Sequence, residues 1–149
     1  MREMNNIKLG FDCIGVSVTF FCYDGSGRFV MAQRGPNCRD EHHRWCIGSG
    51  GVELGEGIWD AVHREVLEEY GAPAKQITSL GFRDVHRDDG SHWVSFDFAV
   101  HVDGNAVINA EPEKLLDVGW FTFETMPANL HSQLQVFFTR YASLLKDYI

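Results

Sequence analysis

The chain lacks the features that mark secreted and membrane-spanning proteins. Residues 1–15 contain no apolar core of signal-peptide length, and nowhere do ~18 uncharged apolar residues follow one another. We therefore expect a soluble, cytoplasmic protein without a membrane partner. Internal repeats, linkers and low-complexity segments are also absent, and 149 residues is an ordinary length for one domain. A single domain over residues 1–149 is expected.

Cysteine patterns that would indicate disulfides or a metal are also absent. The four cysteines are Cys13, Cys22, Cys38 and Cys46. They form no CxxC pair, and three of them lie in or beside apolar runs, where a free cysteine is usually buried. Disulfides are therefore not expected. His42 and His43 lie between the last two cysteines, but the C-x3-H-H-x2-C spacing matches no structural zinc pattern.

Basic residues are scarce relative to acidic ones. Thirteen Lys and Arg face 21 Asp and Glu, which gives a formal net charge of −8. This balance makes nucleic acid an unlikely partner, because backbone binding depends on basic groups that displace counterions. Six of the acids lie between residues 50 and 72, where Arg64 is the only base. The excess negative charge is therefore concentrated in one segment.

Hydrophobic periodicity predicts a chain of mixed strands and helices. Apolar residues alternate with other residues over 14–22 and 94–102, as in half-buried strands. Further strands are predicted over about 28–34, 76–87 and 118–123, and residues 45–47 form a short apolar segment. The turns "DGSG" at 24–27 and "DDGS" at 88–91 indicate two β-hairpins. Two hairpins with one helix between them and one after them favour a mixed sheet with helices packed on its faces.

A C-terminal helix is predicted from an apolar stripe and a capping pattern. Ser132 with Gln135 three residues later is typical of a capping box at a helix start. The apolar stripe consists of Leu134, Phe137, Phe138, Tyr141, Leu144, Leu145 and Tyr148. This helix is expected to pack against the sheet.

A helix predicted over residues 58–70 has an unusual acidic face. At 100° per residue, Glu65, Glu68 and Glu69 fall within about 100° of one another. The apolar residues expected to dock on the sheet are Trp59, Val62, Val66 and Tyr70. Like charges three or four residues apart repel, and the last turn of a helix prefers cations. The acidic face is either merely solvated or built to hold a hard divalent cation such as Mg²⁺, and the glycine-rich loop with two more glutamates before the helix favours the cation.

A specific motif runs from Gly50 to Ala72. Gly50, Glu56 and the run "REVLEEYGA" at 64–72 fill every fixed position of the pattern G-x5-E-x7-R-E-U-x-E-E-x-G-U, where U is aliphatic. With this motif the chain resembles the Nudix (MutT-like) hydrolases. Trp45 and the segment "EPEK" before Trp120 extend the resemblance over nearly the whole chain. The family commonly has Pro-Gly-Gly where this chain has Gly48-Ser49-Gly50.

The resemblance implies the Nudix fold, an α/β/α sandwich with a mixed β-sheet. It also implies hydrolysis of a nucleoside diphosphate linked to another group, with Mg²⁺ or Mn²⁺ as cofactor and a small-molecule nucleotide as substrate. Nucleoside triphosphates, cleaved to a monophosphate and pyrophosphate, are the first choice; ADP-ribose or another nucleotide sugar comes second and dinucleoside polyphosphates third. The resemblance is compatible with a homodimer. The alternative is a non-catalytic nucleotide-binding module with the same fold, against which the intact glutamates argue.

The same resemblance implies roles for individual residues. Glu65, Glu68 and Glu69 would bind the metal together with the Gly50 carbonyl, and Arg64 would orient the carboxylates by pairing with Glu56. The general base would be Glu65, Glu69 or a glutamate of a later loop. The candidates in that loop, "AEPEK", are Glu111 and Glu113. Outside the motif, the candidates for contacts with phosphate, ribose or base are Arg34, His86, Arg87, His92 and Trp93.

Overall fold

The computed structural model describes residues 6–149. Residues 1–5, part of the segment in which we expected no signal peptide, lie outside the described residues. The elements are β1 (Gly15–Tyr23), β2 (Phe29–Arg34), β3 (Trp45–Cys46), β4 (Gly48–Gly51), α1 (Ile58–Tyr70), β5 (Gln76–His86), β6 (His92–His101), β7 (Leu115–Phe121) and α2 (Ser132–Leu145). No helix in the described range is long and apolar enough to cross a membrane.

The seven strands form one mixed sheet with β1 near its centre. β1 pairs in parallel with β6 over its whole length and antiparallel with β4. β2 pairs with β3 and β7, and β5 with β6, all antiparallel. The predicted second hairpin, β5–β6, is therefore formed. The first is minimal, because β1 and β2 pair only at Tyr23 and Phe29 while β2 pairs along β7.

Three strands differ from their sequence predictions, and the first is β3, which forms within the short apolar segment at 45–47. The glycine segment Gly48–Gly51 forms β4, which had not been predicted, because glycines offer no side-chain alternation. Backbone pairing with β1 determines this strand instead. β7 begins at Leu115, three residues before the predicted start, through its pairing with Arg34 at the end of β2.

Alternation along β1 separates two cores on opposite faces of the sheet. Val18 and Phe20 belong to the core that α1 covers, whereas Phe21 belongs to the core that α2 covers. The residues that precede Phe21 on the α2 face, Ser17 and Thr19, are small and polar and line a cavity. The α2 face therefore has a packed half and an open half.

α1 has the predicted bounds and buries most of the predicted apolar face. Val62, Val66 and Tyr70 are fully buried against the sheet. Trp59 was expected to dock there too. Its ring contacts the Phe98 ring edge-on, with centroids 5.0 Å apart, but the residue is 50% exposed. Trp59 thus docks on β6 through the edge of its ring, while half of its surface stays exposed.

The capping box predicted for α2 was also wrong. The N-cap is His131, whose Nδ1 accepts a hydrogen bond from the Gln133 N–H at 3.1 Å. The Ser132 N–H and hydroxyl donate instead to the Glu41 carboxylate, at 2.9 and 2.8 Å. Glu41 lies on the loop between β2 and β3, so a tertiary contact has replaced the local one. Within α2, Leu134, Phe137, Tyr141 and Leu145 are buried, while Leu144 is exposed.

The cysteines in the described range are free thiols. Burial was expected for three of the four, but only Cys22 is fully buried, Cys38 and Cys46 are partly buried, and Cys13 is exposed. The Cys38 thiol donates to the Lys114 carbonyl at 3.2 Å and the Cys46 thiol to the Ala32 carbonyl at 3.6 Å.

Candidate functional site

The absence of a side chain at Gly50 determines where the Glu65 carboxylate lies. Gly50 pairs with Val18 in the sheet, and Glu65 reaches β4 from the second turn of α1. A Cβ added at Gly50 would overlap all three atoms of that carboxylate. Only glycine permits so close an approach of backbone and side chain. The Glu65 carboxylate can therefore occupy its position only when residue 50 is glycine.

Arg64 connects the carboxylates of this region. Its Nε and Nη2 donate to Glu56 at 2.7 and 2.9 Å, a two-point contact. Its Nη1 donates to Glu65 at 2.8 Å and to Glu68 at 3.3 Å. The hydrogen bonds from Arg64 lower the pKa of Glu56 to about 2, and those to Glu56 raise the pKa of Arg64. Arg64 and Glu56 thus form a fixed ion pair beside the other glutamates.

Four carboxylates, those of Glu65, Glu68, Glu69 and Glu111, lie close enough together for their charges to interact. Burial raises the pKa of Glu65, and the charges of Glu68 and Glu111 raise it further. The pKa of Glu69 is raised well above its usual value by burial and then by the charges of Glu65 and Glu111. Tertiary folding therefore brings Glu111, from the loop before β7, to the glutamates of α1.

The two glutamates of the "AEPEK" loop have different surroundings. The Glu111 side chain is largely buried and forms an ion pair with Lys114, whose Nζ lies 3.4 Å from a Glu111 carboxylate oxygen. The Glu113 side chain is exposed. Only the backbone carbonyl of Glu113 is seen in a hydrogen bond among the described residues, which it accepts from the Asn37 side chain at 2.8 Å. Of the two candidates, Glu111 is thus the one that the structure brings to the acidic cluster.

Compact groups of three metal-ligating side chains occur elsewhere in the described part of the chain. They are Asp84, His86 and His92, and Asp40, Glu41 and His131, each with ligand atoms within 4.8 Å of one another. Glu65, Glu68 and Glu69 are not among these groups, and the first two accept hydrogen bonds from Arg64 Nη1. The acidic face is therefore a set of converging carboxylates rather than a closed cage.

A cavity of about 250 Å³ lies on the open half of the α2 face. A buried ion pair lines it: Arg83 donates to Asp97 through Nε at 2.6 Å and through Nη2 at 3.0 Å. The Tyr141 hydroxyl also donates to Asp97, at 2.6 Å, and burial together with this contact raises the pKa of Tyr141 to about 12. The polar residues that line this part of the cavity are Thr19, Arg83, Ser95 and Gln133.

Sequence reasoning missed these polar groups, although a signal was present. Ser17 and Thr19 on β1 stand opposite Ser95 and Asp97 on β6, so polar residues at alternate positions of two strands meet in one place. Strand alternation by itself identified this face only as the more polar one. The parallel pairing of β1 with β6 was needed to bring the two rows together.

Three of the five candidates outside the motif line this cavity, namely Arg34, Arg87 and Trp93. The Trp93 indole N–H is buried and has no hydrogen-bond partner among the described residues. His86 and His92 lie apart from it, stacked with ring centroids 4.1 Å apart. Arg39 and Asp40, which sequence reasoning did not select, complete the rim of the cavity.

A second cavity, of about 370 Å³, adjoins the first. Both cavities are lined by Arg34, Arg39, Cys46, Ile47 and Ser49. Glu69, Glu111 and Lys114 line the second cavity only. One continuous cleft therefore leads from the acidic cluster, past a group of arginines, to the cavity under α2.

Comparisons with known proteins agree with this arrangement. The NUDIX domain model matches residues 14–141. An RNA pyrophosphohydrolase of Azorhizobium caulinodans is 28% identical over 63% of this chain and 49% of its own length. The 8-oxo-dGDP phosphatase of Danio rerio is 30% identical over 66% of this chain and 30% of its own length. The chain thus spans half or less of these two relatives.

A solved structure supports the fold directly. The MutT Nudix hydrolase of Burkholderia pseudomallei superposes with a TM-score of 0.75 at 25% identity, over 85% of this chain and 96% of that one. The Nudix fold predicted from the motif, with a mixed sheet between helices, is confirmed. The match of the family model over most of the chain shows that this protein belongs to the Nudix hydrolase family.

Proposed function

We propose that the chain is a divalent-metal-dependent pyrophosphohydrolase of small nucleotides. It would cleave a nucleoside diphosphate linked to another group, with nucleoside triphosphates, hydrolysed to monophosphate and pyrophosphate, as the first substrate class. ADP-ribose and other nucleotide sugars follow, and then dinucleoside polyphosphates. The observation that carries the proposal is the convergence of Glu65 and Glu111 on Glu69, where burial and neighbouring charges raise the pKa of Glu65 and Glu69. Glu69 and Glu111 line one end of the cleft.

The donor set suits Mg²⁺ or Mn²⁺. Glu65, Glu68 and Glu69 are oxygen ligands, and hard cations prefer a few carboxylates whose remaining partners are water and phosphate oxygens. Mutual repulsion between Glu65, Glu69 and Glu111 is a cost that a cation placed among them removes. Gly50 packs directly against the Glu65 carboxylate, and its carbonyl would be a further oxygen ligand. When bound, the metal would neutralise phosphate charge and acidify an attacking water.

The protein residues would divide the remaining tasks among them. Arg64, held by Glu56, would position Glu65 and Glu68 through its Nη1. Glu69 and Glu111 have carboxylates facing the second cavity, where they are available to accept a proton from water.

The nucleoside half would lie in the cavity under α2. A volume of about 250 Å³ suits a nucleobase, and an aromatic wall with a few polar groups is typical of small-molecule sites. Trp93 supplies the aromatic wall. Arg83 and Gln133 supply further polar contacts.

The proposal is tested by product analysis with Mg²⁺ or Mn²⁺ on a panel of nucleoside triphosphates, ADP-ribose, nucleotide sugars and dinucleoside polyphosphates. We expect release of a nucleoside monophosphate that stops when EDTA is added. Glu111→Gln should lower kcat by ~10²-fold or more, as expected when a general base is lost. The matched control is Glu113→Gln in the same loop, which should keep the wild-type rate.

Two results would count against this function. A folded protein that turns over nothing on the panel with either metal contradicts it, and nucleotide binding without turnover would instead favour a sensor module. Equal losses in Glu111→Gln and Glu113→Gln would remove Glu111 from the mechanism.

A further inference from the structure

Two histidines and an aspartate, here called the hairpin group, lie together on the β5–β6 hairpin. His86 stands opposite His92 in the register of the two strands, and Asp84 precedes His86 by two residues. Arg83 and Val85, on either side of Asp84 in the chain, line the cavity under α2. Because side chains alternate between the two faces of a strand, Asp84 and His86 lie on the opposite face of the sheet from that cavity.

The backbone hydrogen bonds of the hairpin bring the two histidines close. The Arg87 N–H donates across the hairpin to the Ser91 carbonyl at 3.0 Å. The His92 N–H turns away from β5 and donates to the Gly10 carbonyl at 2.8 Å. His86 and His92 are thus a non-hydrogen-bonded pair, the kind in which antiparallel strands bring side chains closest. Their rings stack with centroids 4.1 Å apart.

Asp84 completes a set of three ligand atoms. His92 Nε2 lies 3.0 Å from an Asp84 carboxylate oxygen, and one ligand atom from each residue of the hairpin group lies within 4.8 Å of the others. A tetrahedral Zn²⁺ with bonds of about 2.0–2.1 Å holds its ligand atoms roughly 3.3–3.5 Å apart. Side-chain rotations that move these atoms by roughly 1 Å would therefore close the group around an ion. Asp84 and His86 are exposed, so such rotations meet little resistance.

The other compact group of metal-ligating side chains, which contains Asp40 and Glu41, is already engaged by the protein. One Asp40 oxygen accepts from Arg34 at 2.8 Å and the other from Arg87 at 3.4 Å. The Glu41 carboxylate accepts two hydrogen bonds from Ser132. By contrast, the aspartate of the hairpin group pairs with a histidine of the same group, so an ion can join both. The hairpin group therefore has ligand atoms available where the other group does not.

The donor set of the hairpin group indicates which class of ion would bind. Imidazole nitrogens suit Zn²⁺, Cu²⁺, Ni²⁺ and Co²⁺, whereas Mg²⁺ prefers oxygen ligands. The Asp84 side chain is 60% exposed and that of His92 is 31% exposed, so water can supply the remaining ligand. The hairpin group thus differs in ion preference from the acidic cluster at α1.

We propose that Asp84, His86 and His92 form a metal site, separate from the acidic cluster, that binds a divalent transition ion such as Zn²⁺ and joins β5 to β6. The opposite face of the same two strands presents Val85 and Trp93 to the cavity under α2. The ion would therefore hold the strands that form one wall of that cavity. None of its three ligands lines either cavity, so the site is independent of the proposed hydrolysis.

Zinc binding is measured by calorimetry in an excess of Mg²⁺, which occupies oxygen sites. We expect His86→Gln and His92→Gln each to weaken Zn²⁺ binding by ~10-fold or more, since even the loss of a group that supports a metal ligand costs ~10- to 10²-fold. Asp84→Asn, a change at an exposed position, should also weaken it and serves if a histidine variant does not fold. The matched control is His63→Gln, at an exposed histidine of α1, which should bind like wild type. Glu68→Gln should also keep the binding, because the acidic cluster is a different site.

Amide hydrogen exchange tests whether the ion joins the strands. The Arg87 N–H bridges the hairpin next to the proposed site. Zn²⁺ should slow its exchange by ~10-fold or more in the wild type, because opening of the hairpin would then require release of the ion. The same addition should leave the exchange of this N–H unchanged in His86→Gln, and Mg²⁺ alone should not slow it in the wild type.

Three binding results would overturn the site. They are a wild type that binds no Zn²⁺ in excess Mg²⁺, unchanged binding in both His86→Gln and His92→Gln, and an equal loss in His63→Gln. Zn²⁺ binding that leaves the exchange of the Arg87 N–H unchanged would refute the connection between the strands. These readouts involve no turnover, so failure of this site and failure of the proposed hydrolase are distinguishable.

Discussion

At the scale of single residues, the site depends on an absent side chain as much as on charged ones. Glu65 reaches its place only because Gly50 has no Cβ, and Arg64 then holds the carboxylate from the other side at 2.8 Å. The adjacent Gly51 differs, since a Cβ added there would meet nothing within 4 Å. Gly51 can therefore serve as the control position for a substitution at Gly50.

Gly50→Ala should therefore impair catalysis where Gly51→Ala does not. The new methyl group would displace the Glu65 carboxylate, and a shift of about 1 Å in a catalytic group costs up to ~10²-fold in rate. We expect kcat/KM to fall by ~10- to 10²-fold in Gly50→Ala and to stay within ~threefold in Gly51→Ala. Steady-state kinetics with the best substrate of the panel is the measurement, and equal rates in the two variants would contradict the steric role of Gly50.

At the scale of elements, the start of α2 is held by a distant loop. The Glu41 carboxylate accepts from the Ser132 N–H and hydroxyl and lies 2.8 Å from His131 Nε2. The neighbouring Asp40 contributes to the arginine group, so one loop both anchors α2 and shapes the cleft. Residues 35–44 were predicted only as a polar surface loop, and their tertiary contacts give them a structural role.

Glu41→Ala should destabilise the protein, whereas Gln135→Ala should not. Removing Glu41 leaves the first N–H of α2 without its acceptor, which costs about 1–3 kcal/mol in the free energy of unfolding. Gln135, the residue of the incorrectly predicted capping box, is exposed, and its replacement should change stability by less than ~0.5 kcal/mol. Chemical denaturation measures both; a larger loss in Gln135→Ala would restore the capping box.

At the scale of the whole molecule, folding assembles a cleft with an acidic end and a basic section. The chain carries a net charge of −8, yet Arg34, Arg39 and Arg87 gather in one place. The acidic end destabilises the metal-free protein, because Glu65, Glu69 and Glu111 repel one another in a partly buried site. The proposed function and the stability of the protein are therefore opposed at this point of the fold.

Metal binding should reverse that opposition in a way that thermal unfolding can detect. At ~100 times its Kd, Mg²⁺ should stabilise the wild type by about 2.7 kcal/mol, or ~5–10 °C in Tm. Glu69→Gln should have a higher Tm than the wild type in EDTA, since a repelling charge is removed, and should gain little from Mg²⁺. A variant that is less stable than the wild type in EDTA would show that Glu69 does not repel its neighbours. A variant that responds fully to Mg²⁺ would show that Glu69 does not bind the metal.

The sequence by itself determined the features that depend on residues close together in the chain. The bounds of α1, the acidic face of that helix and the family follow from spacings within the 23 residues from Gly50 to Ala72. Side-chain alternation identified most strands because a strand with one buried face imposes it residue by residue. β4 escaped prediction because its glycines have no side chains to alternate.

Only the tertiary structure decided which distant residues meet. The approach of Glu111 to Glu69, the replacement of the α2 capping box by Glu41 and the gathering of three arginines all depend on strand pairing and loop packing. So does the polar lining of the cavity under α2, which arises where β1 and β6 lie in parallel register. Spacing along the chain carries no information about such contacts, because partners dozens of residues apart become neighbours only when the sheet has formed.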